Sequence, residues 1–158
     1  MKPSRRSAVL TALLVLVASG IVRAQTNRLH IGPHVAYNFD LKDFAIGAQF
    51  SSPIVNRVEF YPSFDYYFVE HGSTWSVNAD LKWRVAKDRP RWFYIGGGLN
   101  VTRVSVGDVV HTDGAANLFL GAESLRKRIH PFVELRGILG NGSSIQAQAG
   151  VNITFGRH

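Results

Sequence analysis

Glu70, His71 and Ser73 place a carboxylate, an imidazole and a hydroxyl within four residues, the three parts that acyl transfer requires. A base activates a nucleophile only within hydrogen-bond reach, with a third group orienting it. Neighbouring strand residues point to opposite faces, so Glu70 cannot orient His71 along one strand. Loop polarity accounts for the trio equally well. His30 and His34 share a strand face, but four residues at ~3.3 Å each set them ~13 Å apart, too far to chelate one ion alone. His111, His130 and His158 are scattered along the rest of the chain. Gly96-Gly97-Gly98 is followed by no helix signal, so it is no phosphate cradle. Glycines there more simply admit aromatic neighbours or bend a sheet. No catalytic, cofactor-binding or metal-ligating residue is expected.

The elements that must carry these residues are strands. From Trp75 to Val85 every odd position is apolar and every even position is polar or charged. Successive strand side chains point to opposite faces, so one face could lie in lipid and the other in a polar lumen. About eight such segments follow one another: 29–38, 43–51, 57–68, 75–85, 92–103, 114–125, 129–139 and 145–155. The third, fourth and eighth sustain the pattern for about eleven residues, the ~9–11 that a tilted membrane strand needs. Pro62 removes one ladder donor from the third. Between the fifth and sixth a loop is expected over 104–112. No segment has apolar residues at helical spacing.

The polar faces would meet inside. Pairing the third and fourth segments about His71 sets Glu59 opposite Lys82, Tyr61 opposite Asp80, and Asp65 opposite Ser76. Pairing the fifth with the sixth would set Phe119 and Gly121 against Gly98 and Gly96. Arg57, Arg84, Glu123, Glu134, Arg136, Gln146 and Gln148 would join this core. Eight strands leave a lumen that side chains can fill, so a wide aqueous pore is not expected.

Export explains the charge. Lys2, Arg5 and Arg6 precede an apolar stretch from Ala8 to about Ala18, and Val22-Arg23-Ala24 offers small residues before a cut ahead of Gln25. That is the layout of a cleaved secretory signal, giving a 1–24 signal peptide and a 25–158 barrel domain. Of 18 basic residues four leave with it, so the remainder carries fourteen against 11 acidic ones. A formal charge of +7 thus falls to about +3, and no basic stripe with interleaved aromatics remains to suggest nucleic acid. Cysteine is absent, which a closed hydrogen-bonded ladder tolerates.

The chain resembles the OmpA/OmpX-type small outer-membrane barrels over nearly all of its length after the signal. The most specific likeness is terminal: Gln148-Ala149-Gly150-Val151-Asn152-Ile153-Thr154-Phe155 is similar to the family's last-strand signal. By that match Gln148, Gly150, Ile153 and Phe155 would be read by the barrel-assembly machinery. The family ends on the aromatic, whereas Gly156-Arg157-His158 follow here. The resemblance implies an all-β, eight-stranded antiparallel up-and-down transmembrane barrel in a Gram-negative-type outer membrane. It also implies periplasmic termini, contact with outer-membrane lipids, a monomer, and a structural or surface-interaction role without catalysis. Two alternatives come with it. One is a lipid A deacylase-like enzyme, for which His71 and Ser73 would have to serve. The other is a narrow ion-conducting barrel gated by lumen pairs such as Glu59–Lys82. A lumen network of Glu59, Asp65, Asp80, Lys82, Arg84, Glu123, Glu134 and Arg136 is expected in every case.

Overall fold

The computed structural model describes residues 29–70, 72–85, 91–124 and 128–155. The signal segment, His71, most of the basic turns and the last three residues lie outside these. Eight strands close in chain order: β1 (Leu29–Asn38), β2 (Asp43–Val55), β3 (Val58–Tyr67), β4 (Ser73–Arg84), β5 (Arg91–Val106), β6 (Val109–Ser124), β7 (Ile129–Leu139) and β8 (Ser144–Phe155). Every pair is antiparallel, and β8 pairs with β1 from Leu29↔Phe155 to Asn38↔Gln146. Closure leaves no sheet edge along the wall, which a structure immersed in hydrocarbon requires. Leu29 and Phe155 define the terminal end of the cylinder. The β1–β2, β3–β4, β5–β6 and β7–β8 links define the distal end.

Alternation decides which way each residue looks. On β4, Val77 and Leu81 are 45% and 50% exposed, while Ser76 and Asp80 are fully buried. Apolar residues cover the outside and polar ones fill the middle, the reverse of a water-soluble barrel. Aromatic rings gather near both rims. Tyr37 contacts Phe39 and Phe44 near the distal rim, as Tyr66 does Phe68. Trp83, Phe93 and Phe155 are exposed near the terminal rim. Such girdles flank the apolar band of transmembrane barrels.

The structure departs from the sequence reading in three places. β2 runs on to Val55 through an irregularity at Pro53/Val55, so Ser52 to Val55 are strand and only Asn56 and Arg57 turn. As expected at a proline, which has no N–H to give, the β2–β3 ladder skips Phe50 and Ser51 opposite Pro62 and Tyr61. Arg57 is not in the polar core: it sits exposed in that turn at φ 73°. Lastly, no long loop joins β5 and β6. Both strands are 16 residues long and meet at Gly107-Asp108, where glycine adopts φ 58°. The shorter link moves the β5–β6 register by two residues. Gly96 faces Phe119 and Tyr94 faces Gly121, while Gly98 faces Asn117. A two-residue shift keeps every side chain on its face, so the large-against-small fit survives with different partners.

Candidate functional site

The only dense assembly of chemistry-bearing side chains among the described residues is the lumen itself. Its terminal half is ionic. Lys82 Nζ of β4 lies 3.2 Å from Glu59 Oε2 of β3 and 3.1 Å from Glu123 Oε2 of β6. Arg84 pairs with Glu59, whose carboxylate also accepts a bond from Ser51. Asn152 donates to Glu123 Oε1 at 2.9 Å and in turn accepts from Gln49 at 2.7 Å. One level further in, Arg136 of β7 donates to Asp80 across the lumen at 2.6 Å and to Glu134 beside it at 2.9 Å. Tyr94 and Gln148 complete the Glu134 carboxylate at 3.0 and 2.7 Å. Leaving a buried charge uncompensated is costly, and here each carboxylate meets at least one cation or amide donor.

Rings wedge between these charges. The ammonium of Lys82 lies 4.6 Å from the Tyr61 ring centroid and 4.9 Å from that of Tyr94, and the Arg136 guanidinium is 4.7 Å from Phe119. Such faces attract desolvated cations. The rings fit because their register partners on the neighbouring strand are glycines. A Cβ on Gly96 would come within 2.2 Å of Phe119, and one on Gly121 within 2.4 Å of Tyr94.

The distal half is mostly neutral. Asn78 Oδ1 accepts from both Asn100 and Asn117 at 2.8 Å, while Asn78 Nδ2 donates to Ser63 and Asp65 at 3.0 and 2.9 Å. Asn117 also reaches Asp80 at 3.0 Å, joining the two halves. His34 Nε2 lies 2.6 Å from Asp65, and Tyr67 donates to Gln146 at 2.7 Å. Above them a vestibule of about 160 Å³ opens at the distal end, lined by Asn38, Tyr67, Thr74, Asn100, Thr102 and Ser144 among others.

Glu59, Asp65, Asp80, Lys82, Arg84, Glu123, Glu134 and Arg136 all stand inside the cylinder, and Glu59↔Lys82, Tyr61↔Asp80 and Asp65↔Ser76 are neighbours in register. Of the four terminal-signal positions, Gln148 is in the lumen and Ile153 and Phe155 face outward. Gly150 lies under the His34 and Phe132 side chains, where a Cβ would meet them at 2.7 and 2.8 Å. Ser73 starts β4 opposite Ser105, and Glu70 is exposed beyond β3, while His71 lies outside the described residues. His34 with Asp65 has the form of a base and its orienting carboxylate. However, His34 Nδ1 has no hydrogen-bond partner, so no hydroxyl stands ready for activation. Sequence reasoning missed the asparagine layer and the approach of His130 to His30. The first depends on the exact register of β4, β5 and β6, and the second on β1 and β7 meeting through β8, far apart in the chain; only the inward parity of Asn78, Asn100 and Asn117 hinted at the first.

These features define a small transmembrane-type barrel, apolar outside and filled with polar side chains. Neither a family model nor a curated protein matches the sequence. Solved structures do match in fold. The N-terminal barrel domain of Pseudomonas aeruginosa OprF is 17% identical over 82% of this chain and 98% of its own, with a TM-score of 0.72. Neisserial surface protein A is 16% identical over 83% and 98%, with a TM-score of 0.63. The de novo designed barrel TMB2.3 is 14% identical over 83% and 96%, with a TM-score of 0.56. The chain therefore has the eight-stranded fold of small outer-membrane barrels. A designed protein shares that fold, so the fold by itself specifies no task.

Proposed function

We propose that this chain is an outer-membrane barrel of a Gram-negative-type envelope, a structural and surface-interaction protein that neither conducts ions nor catalyses. The observation that carries this reading is the pair of ionic layers, Lys82 with Glu59 and Glu123 and Arg136 with Asp80 and Glu134, which bind opposite walls together across the lumen. A passage would need these pairs to part. The apolar exterior supports residence in a bilayer, with outer-membrane lipids as the surrounding partners and the monomer as the working unit. The terminal end would face the periplasm, and Gln148, Gly150, Ile153 and Phe155 on β8 would be the positions that the assembly machinery reads.

Contact with other molecules falls to the distal end. There β6 continues past its last pairing with β7 at Ala116, so residues 109–115 pair with β5 alone. Val106, Val109 and Val110 at the tip of this ribbon are exposed. Apolar residues rising beyond the distal girdle are suited to touching a partner. Cell fractionation tests the location: the protein should stay with the outer membrane until detergent is added, and release as a soluble periplasmic protein refutes it. Planar-bilayer recordings should be silent for the unaltered chain. Mass spectrometry of lipid A should show the same profile with and without expression.

A further inference from the structure

The vestibule at the distal end has a fixed rim. Asn38 Oδ1 accepts from the backbone N–H groups of Asp40 and Leu41 at 3.1 and 3.0 Å, which holds the β1–β2 turn in shape. The Asp40 carboxylate accepts from the Ile145 N–H at 2.7 Å, and the Phe39 N–H donates to the Ile145 carbonyl at 2.9 Å. Asn38 also donates to Ser144 at 3.1 Å. The turn is thereby tied to β8, with Leu41 at one lip of the cup. A site whose walls already stand in place loses little entropy when it is filled.

Within that rim the lining is of two kinds. Leu41, Ile138 and Tyr67 supply apolar surface, and hydroxyls, amides and backbone supply most of the rest. Much hydrogen-bonding capacity is left over. Thr74 is only 5% exposed, and its hydroxyl has no partner among the described residues. Tyr67 donates to Gln146 at 2.7 Å and Thr102 to Asn100 at 2.8 Å, so both oxygens can still accept. Asn38 and Asn100 each use one amide proton on a neighbour and keep the other. Asp113 is the one formal charge among the described lining residues, half-exposed and 3.0 Å from His111. No described cation lines the cup, so an anion gains nothing there. Its volume of about 160 Å³ is about half the smallest of the ~300–1,000 Å³ sites that hold drug-sized ligands. We propose that the vestibule binds one neutral pyranose ring, the terminal residue of a glycan. A pyranose has an apolar C–H face and a rim of hydroxyls that each donate and accept, which matches this mixed, uncharged lining. The proposal rests on the surface-interaction reading and gives that surface a ligand class.

The test uses the mature chain folded in a phosphocholine detergent, so that no sugar headgroup competes. Methyl glucoside, methyl galactoside and methyl N-acetylglucosaminide are titrated in turn, and the side-chain NMR signals of Thr74, Asn100 and Thr102 are followed. At least one sugar should move all three signals with a dissociation constant of about 1 mM, the scale for about a dozen heavy atoms. Thr74→Val should weaken that binding about fivefold. Thr102→Phe, which fills the cup, should abolish it, and Thr112→Val, exposed on β6 outside the cup, should leave it unchanged. Unmoved signals with all three sugars overturn the proposal. So do equal or tighter binding of glucose 6-phosphate, equal shifts with glycerol, or binding of free glucose where methyl glucoside fails. Should a variant lose its heat-modifiable gel mobility, the unaltered chain decides: shifts must centre on Thr74 and Thr102, and shifts spread over the exterior refute the site. Cell fractionation is independent of this result, so a barrel that stays in the outer membrane yet binds no pyranose sinks this proposal alone.

Discussion

The two halves of the lumen solve one packing problem with different chemistry. The terminal half spans the cylinder with full charges: Arg136 on β7 reaches Asp80 on β4, and Lys82 on β4 reaches Glu123 on β6. The distal half uses side-chain amides, with Asn78 gathering Asn100 and Asn117. A buried amide that loses its partner is one unsatisfied dipole, whereas a buried charge that loses its partner is an uncompensated ion. The ionic half is therefore the unforgiving one, and it is where glycines and rings are fitted around the side chains. The amide half can lose a member and admit water from the vestibule above it.

Arg136→Met should have the largest effect, because it leaves Asp80 and Glu134 without their shared cation. Stability should fall by about 3–5 kcal/mol in urea unfolding of the vesicle-reconstituted barrel. Adding Asp80→Asn and Glu134→Gln to that change should recover most of the loss. If the triple variant is no better than the single, the charges are not what the site depends on. Lys82→Met should cost about 3 kcal/mol, the lower end of the same range, because Glu59 keeps Arg84. The same variant should stay silent in bilayer recordings if rings and the Arg136 layer suffice to fill the lumen; a new conductance would mark Lys82 as the gate.

On the amide side, Asn78→Ala should cost about 1–3 kcal/mol, since it strands the donors of Asn100 and Asn117. A loss as large as that of Arg136→Met would erase the contrast between the halves. Smallest of all, Thr102→Val at the vestibule wall should cost about 1 kcal/mol or less, because solvent there replaces its bond to Asn100. Raising salt to molar concentration should leave this ranking intact, because screening acts on exposed charges far more than on buried pairs. A ranking that collapses in salt would mean that water reaches the ionic layers.

Much of this was legible in the chain. β1, β7 and β8 fall where alternation puts them, and the pairing of β3 with β4 follows from one short link between two long alternating segments. That the eight charged residues would face inward also follows from parity alone, since a period of two leaves each residue one face or the other. Where the pattern blurs, the reading failed. Residues 104–112 mix valine, glycine and aspartate without clear alternation, so they predict a loop where the structure has a two-residue turn, and the β5–β6 register differs by two. Arg57 carries lumen parity, yet φ 73° puts it in a turn.

Local periodicity suffices for the number of strands, their approximate places and the greasy-out, polar-in sense of the wall. Closure decided the rest. Which carboxylate meets which cation, which glycine makes room for which ring, and how His130 comes to lie against His30 all depend on strands wrapping round to meet across the cylinder. Those distances are set by the stagger and circumference of the whole barrel, quantities that no single segment of the chain contains.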